Sequence, residues 1–267
     1  MYEIVLRGDL EMSEQAPKLK TLFWAFKLLE CFDYEHERLS VTELSKMMSI
    51  PKSSICNALS TFEQLGYIRK HTSSGKYSLG PKVACLYHAY CSRNSDSTKY
   101  QRECRILSDR LNVTVSLGAC VDDKVICLAS ACPPRYPQAI LVGSEYPLHA
   151  TAIGKAIMAF MPAEQQERVC KNGLPAFTRN TITDRNGLDE NLEMIRTRDY
   201  AVDIMEFENN MCSVAAPIWR TEGHAKPPKY AIGITVPAEK LSNDQVLEYV
   251  KIILDTHKEI QNMYLQD

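Results

Sequence analysis

SVTELSKMMSIPKSSICNALSTFEQLGYIRKHTSSGKYSLG, residues 40–80, outlines two short helices joined by a tight turn and followed at once by a small hairpin. Ser40 and Glu43 have the spacing of a capping box, in which hydroxyl and carboxylate each take a free backbone N–H at a helix start. Val41, Leu44, Met47 and Met48 then recur at helical spacing. Ser49 and Ile50 make the turn, and Pro51 suits the first turn of the next helix. In that second helix Ile55, Leu59, Phe62 and Leu65 form the expected buried stripe, closed by Gly66 at a left-handed C-cap. Lys52, Ser53, Ser54, Cys56, Asn57 and Thr61 are left on the outer face. These short side chains can approach base edges and phosphates closely. Tyr67–Lys70 and Lys76–Leu79 read as strands around Thr72-Ser73-Ser74-Gly75, a hairpin turn. Arg69, Lys70, His71 and Lys76 make that hairpin a basic wing. The outline is a winged helix-turn-helix.

Two helices and a hairpin also occur in domains that never touch DNA, and serines at a helix start are often plain caps. Charge separates the readings. The whole chain is slightly acidic, with 31 Lys and Arg against 33 Asp and Glu, yet residues 17–82 hold 10 against 6. Positive charge gathered on the segment with the helix-turn-helix outline is the footprint of phosphate contact. Lys52, Lys70 and Lys76 are the expected phosphate contacts. Ser53, Ser54, Cys56, Asn57 and Thr61 are the residues expected along the bases.

A length of 267 residues suggests one large or two modest domains, and 45% hydrophobic content is ample for packed cores. No apolar run reaches the length of a membrane span. Residues 1–17 lack the basic start and apolar core of a signal peptide and read as an acidic tail. With no secretion signal, the ten cysteines read as reduced thiols of a cytoplasmic protein. None is paired as C-x-x-C. Cys85, His88 and Cys91 share one helical stretch, but spacing alone supports a metal there, so no metal and no cofactor is assigned.

Outward from the motif, residues 18–33 are expected to form a helix packed behind it through Leu22, Phe23, Phe26, Leu29 and Phe32. Residues 82–95 are expected to form a linker helix, with another helix running to about Leu111. Residues 96–267 then alternate strands and helices. The expected strands are 113–121, 124–131, 139–142, 201–206, 212–219 and 230–236, with a hairpin at Asp122-Asp123. Helices are expected over 151–160, 162–171, 188–198 and 241–263. The reading is α+β: an N-terminal winged helix-turn-helix at 18–81 and a mixed α/β domain with a largely antiparallel sheet.

The N-terminal motif, GKYSLG, PLHATAIGKAIMAFM, TRDYAVDIMEFENNMCSVAAPI and AIGITVP together resemble the IclR family of bacterial transcription regulators over roughly residues 18–260. The resemblance implies a GAF-like effector-binding domain after the linker helix, dimers or dimers of dimers, an operator DNA partner and a small organic-acid effector. It maps the effector pocket onto Thr151, Ala152 and Ile153, onto Asp203 and Cys212, and onto the strand with Gly233 and Thr235. The residues themselves agree in part. Thr151 is a plausible N-cap, and Ala150, Ala152 and Gly154 leave room beside N–H groups that favour a carboxylate. Asp203 can accept from an effector hydroxyl and Thr235 can donate to a carboxylate. The chain departs from the family at Asn57, where an arginine is usual. It departs again between Asp203 and Cys212, a loop one residue short without its common glycine. There Asn209 and Asn210 are expected to take the tight conformation, and the match of Glu206 to the loop's common glutamate stays open. Two other functions stand beside this one. One is a thiol hydrolase using Cys212 and His149, which lacks a recognisable nucleophile turn. The other is a GAF-like sensor or scaffold whose helix-turn-helix serves protein contacts. The chain reads as a regulator and not as an enzyme.

Overall fold

A computed structural model of the chain describes residues 18–33, 35–93, 95–133, 140, 142–219, 226–240 and 243–265. The chain folds as two compact units that part between residues 94 and 95.

The first unit holds α1 (Lys20–Glu30), α2 (Val41–Met48), α3 (Lys52–Leu65), β1 (Ile68–Lys70), β2 (Tyr77–Leu79) and α4 (Lys82–Arg93). The Ser40 hydroxyl accepts the Glu43 N–H at 3.2 Å while Glu43 Oε2 accepts the Ser40 N–H at 2.7 Å, so α2 starts on a complete capping box. Ser49 at φ 55° ends α2, and Gly66 at φ 81° ends α3. β1 and β2 pair antiparallel, and Leu39 exchanges two backbone bonds with Tyr77, which pins the wing to the chain entering α2. Leu28, Phe32, Leu39, Leu44, Met48, Ile55, Leu59, Ile68 and Tyr77 form the core.

That core is narrower than the sequence pattern implies. Leu22, Phe23 and Phe26 are exposed, and α1 is anchored through Leu28 instead. Leu65, the last residue of α3, is also exposed. A core of three short helices and a hairpin covers only a limited stripe of each helix, so the outer members of each apolar set stay in solvent.

The second unit holds α5 (Ser95–Leu111), β3 (Thr114–Val121), β4 (Lys124–Ala131), β5 (Glu145–Pro147), α6 (Ala152–Met158), α7 (Ala163–Lys171), α8 (Arg185–Arg198), β6 (Ala201–Ile204), β7 (Met211–Ile218), β8 (Tyr230–Pro237), a 3-10 turn (Ala238–Lys240) and α9 (Asn243–Leu265). The six strands form one antiparallel sheet in the order β5-β4-β3-β8-β7-β6. Asp122 and Asp123 both have positive φ, the conformation a two-residue hairpin demands, and they close β3 onto β4. Side-chain alternation along the strands divides the interior in two. On one face Val115, Leu117, Ile232 and Ile234 pack with Tyr100, Cys104 and Leu107 of α5 and Ile253 of α9. On the other, Val125, Ala215 and Ala231 pack with α6 and with Leu188, Leu192 and Ile195 of α8.

The strand expected at 139–142 is not formed at Ile140 or Val142, and residues 139 and 141 lie outside the described residues. The edge strand beside β4 is β5, three residues further on. The tight backbone of the 205–210 loop falls on Met205, at φ 55°, and not on Asn209 or Asn210.

A polar helix face and a cavity over the sheet

On α3 the residues expected to meet DNA lie together on one side. Lys52, Ser53, Ser54, Cys56, Asn57 and Thr61 are all exposed, and Ile55 and Leu59 beneath them are buried. The Thr61 hydroxyl donates to the Asn57 carbonyl at 3.0 Å and so is partly occupied within the helix. On the wing Lys70 is exposed, with its ammonium 5.6 Å from the centre of the Tyr77 ring. Lys76 differs from the other cations: its Nζ lies 3.0 Å from Glu43 Oε1. The same glutamate thus caps α2 and holds the wing's lysine. Those bonds keep the Glu43 carboxyl well down, at about 2, the Ser40 contacts contributing most.

In the second unit a cavity of about 280 Å³ opens over the sheet face that carries α6. Thr151, Ala152, Ile153, Asp203, Gly233 and Thr235 all line it. The seventh residue expected there does not. Met211 and Ser213 line the cavity, and strand alternation turns Cys212 to the opposite face in register with Val236. Its thiol is buried, and burial raises its pKa.

Thr151 caps α6 as expected. Its Oγ1 accepts the Gly154 N–H at 3.1 Å and donates to the Pro147 carbonyl at 2.9 Å. Gly154, however, does not make room for a ligand. A Cβ there would lie 2.5 Å from the Leu148 carbonyl oxygen and 2.7 Å from that of Pro147. This glycine permits a helix-to-backbone contact. Gly233 does border the cavity, and Ile153 packs into the space its missing side chain leaves, as it does at Gly118.

Asp203 is buried, and its Oδ1 accepts the Glu206 N–H at 2.7 Å. Burial pushes its carboxyl up to about 7, against the pull of that amide. Next to it lies a pair the sequence did not reveal. Lys155, wholly buried, donates to Glu206 Oε1 at 2.5 Å and to the Val202 carbonyl at 2.8 Å. Burial presses the lysine pKa down and the glutamate pKa up, and their mutual attraction opposes both shifts. The loop carrying Glu206 is held further by the hydroxyls of Thr178 and Thr181, which donate to the Met205 and Glu206 carbonyls at 2.6 Å each. Phe207 and Glu208, the next two residues, line the cavity, and Glu208 is exposed at its edge.

Several lining residues were not anticipated: Thr114 and Ser116 of β3, Tyr146 of β5, Ser213 of β7, Phe207 and Glu208. Thr114, Ser116 and Gly118 alternate with Val115 and Leu117, so the sequence does mark a small, polar face on β3. His149, the partner of Cys212 in the thiol-hydrolase reading, is buried and binds the Pro175 carbonyl through Nε2 at 3.0 Å. Neither it nor Cys212 lines the cavity. Among the described residues no group of His, Cys, Asp and Glu is placed to hold a metal, and no helix is long and apolar enough to cross a membrane.

Two family models match the chain. Residues 21–72 match the IclR helix-turn-helix domain, and residues 89–262 match the C-terminal domain of the bacterial transcriptional regulator IclR. The HTH-type transcriptional regulator Rv1719 of Mycobacterium tuberculosis is 28% identical over 231 residues, covering 86% of this chain and 87% of its own. Among solved structures, an IclR transcriptional regulator from Alicyclobacillus acidocaldarius superposes with a TM-score of 0.83 at 22% identity, over 93% of this chain and 100% of that one. An IclR homologue from Microbacterium hydrocarbonoxydans, complexed with 4-hydroxybenzoate, superposes with a TM-score of 0.76 at 19% identity, over 92% and 100%.

Proposed function

The chain belongs to the IclR family of bacterial transcriptional regulators, and from that membership we propose that it binds an operator as a homodimer and releases or holds it in response to a small organic acid. The observation that carries the DNA half is the outer face of α3, where short polar side chains stand exposed over a buried Ile55–Leu59 stripe. Lys52 and Lys70 flank it as phosphate contacts. Ser53, Ser54, Cys56, Asn57 and Thr61 are the groups within reach of base edges.

One winged helix reads only a short half-site, and a second copy supplies the other. Leu22, Phe23 and Phe26 of α1 and Leu86, Tyr87 and Tyr90 of α4 are exposed apolar side chains suited to such a contact. Light scattering at micromolar concentration tests this, and a monomer that still binds operator refutes it.

The cavity supports the sensor half, since it joins a few polar groups to apolar walls. Its α6 end offers the first amides of the helix, with Ala152 beside them, to a carboxylate. The Microbacterium homologue is complexed with an organic acid. An effector shifts the DNA equilibrium only by its differential affinity for two states, with coupling typically ~1–3 kcal/mol. The test pairs gel shift with calorimetry. Replacing Ser53, Ser54 and Asn57 by alanine should abolish sequence preference with the fold intact. Ala152→Leu should fill the cavity and leave operator binding unresponsive. An effector that binds the Ala152→Leu protein as tightly as the original places the site elsewhere. Neither His149 nor Cys212, the pair of the thiol-hydrolase reading, lines the cavity.

A further inference from the structure

The cavity floor carries a pattern that reaches past the family assignment. Thr114 of β3 is in register with Thr235 of β8, Thr235 with Ser213 of β7, and Ser213 with Asp203 of β6. Four polar side chains therefore cross four neighbouring strands in one row, and all four line the cavity. At roughly 4.8 Å per strand the row extends about 14 Å.

The chemistry of this row is that of alcohol recognition. Ser213 and Thr235 hydroxyls lie 3.0 Å apart, so one donates to the other and the second keeps its proton free. The Thr114 hydroxyl has no hydrogen bond among the described residues, although Thr114 is only 4% exposed. Asp203 spends one lone pair on the Glu206 amide and retains acceptor capacity. The row thus offers donors and acceptors in alternation, ending in a carboxylate. A ligand hydroxyl, which both donates and accepts, satisfies each of these groups. A second carboxylate only accepts, and above about pH 7, where Asp203 is mostly ionised, it would meet a like charge. No Lys, Arg or His is among the described lining residues to neutralise it. Across from the row, the rings of Tyr146 and Phe207 meet edge to face at 5.7 Å and offer apolar surface to C–H groups. A volume of about 280 Å³ lies at the lower edge of the roughly 300–1,000 Å³ range of small-molecule sites.

We propose that the effector is a polyhydroxylated compound of monosaccharide size, carrying at most one carboxylate, whose hydroxyls are read by Thr114, Thr235, Ser213 and Asp203. This rests on the reading of the cavity as the sensor site, and the test separates the two.

Full-length protein is titrated by calorimetry with aldoses, alditols, aldonates and aldarates of four to six carbons, their deoxy analogues, and the hydroxyl-poor acids succinate and benzoate. Any compound that binds is then added to an operator gel shift. An aldose, alditol or aldonate is expected to bind saturably, with the deoxy analogue and the aldarate weaker by about tenfold or more. Thr114→Val should weaken the hit about tenfold without changing ligand-free melting or operator affinity. Asp203→Asn, which keeps an acceptor for the Glu206 amide, should do the same to binding. Saturable, operator-coupled binding by succinate or benzoate alone overturns the ligand class and leaves the sensor reading standing. A polyhydroxylated hit unaffected by both variants overturns the row as its site. No binding by any polyhydroxylated member of the panel overturns the proposal and leaves the sensor reading to acids outside the panel.

Discussion

Lys155 Nζ lies 2.5 Å from Glu206 Oε1 in a site where the lysine has no exposed surface. The two residues join the helix that supplies Ala152 and Ile153 to the cavity lining to the loop that supplies Phe207 and Glu208. Removing one partner strands the other charge in a desolvated site, a loss of about 3–5 kcal/mol, whereas replacing both by apolar residues is often far milder. Lys155→Met and Glu206→Leu are each expected to lower stability by that amount. The double variant should lose clearly less than the sum. Denaturant unfolding of the four proteins gives the coupling directly. Additive losses would mean that the pair contributes nothing beyond packing.

Gly154 stands one residue before that lysine and has a different task. A Cβ would press on two backbone carbonyls, and backbone cannot swing aside as a flexible side chain does. Gly154→Ala should destabilise the protein by about 1–3 kcal/mol through overpacking, despite alanine's better helix propensity. Gly143, with open space around its missing Cβ but φ at 90°, is the contrasting case of a glycine needed for conformation. An alanine at 154 that leaves the melting temperature unchanged would refute the close-packing role.

Local chemistry explains which parts were legible in the sequence. Ser40 with Glu43, Pro51, Gly66 and the Asp122-Asp123 turn each signal through their own backbone preferences, so the winged motif and the main hairpin could be read residue by residue. The α6 turn was legible for the same reason, through Thr151. What escaped depends on partners far along the chain. Nothing local in the sequence marks Lys155 for burial, because the glutamate that makes it tolerable is 51 residues away. Thr114 and Ser213 were not recognised because alternation assigns a strand two faces without saying which meets a cavity. Met205 has no propensity for the left-handed region. Asp203 and Thr178, gripping the backbone around it, impose that conformation. Cys212 was carried to the cavity by resemblance against its own strand period.

Asp203 gives the protein a pH dependence of known sign. Its carboxyl rises from the usual 3.8 to about 7, chiefly because it is buried. The folded state therefore binds the proton more tightly than the unfolded chain. The associated stabilisation is fully present below about pH 4 and is lost as pH rises through about 7. The full effect is on the order of a few kcal/mol, shared with the coupled Lys155 and Glu206. Asp203→Asn removes this ionisation. Relative to that variant, the original protein should lose stability between pH 5 and pH 8, as urea unfolding at the two values would report. Parallel stability curves for the two proteins would mean that Asp203 titrates near its ordinary value.

The Glu43–Lys76 contact sets a prediction for DNA. While Lys76 is held 3.0 Å from Glu43 Oε1, part of its charge is neutralised within the domain, and it is a weaker phosphate contact than Lys70. Glu43→Gln keeps an oxygen for the Ser40 N–H and releases the lysine. Each added phosphate contact steepens the dependence of log K on log salt by about 0.9. Glu43→Gln is therefore expected to tighten operator binding at low salt and to steepen that slope by about one, equally for operator and random duplex, because phosphates carry no sequence. Lys70→Ala should flatten it by about one, and Lys76→Ala by less. Gel shifts at four salt concentrations with both duplexes decide the matter. An unchanged slope in Glu43→Gln, alongside a full unit lost in Lys76→Ala, would show that the wing lysine already reaches DNA in the original protein.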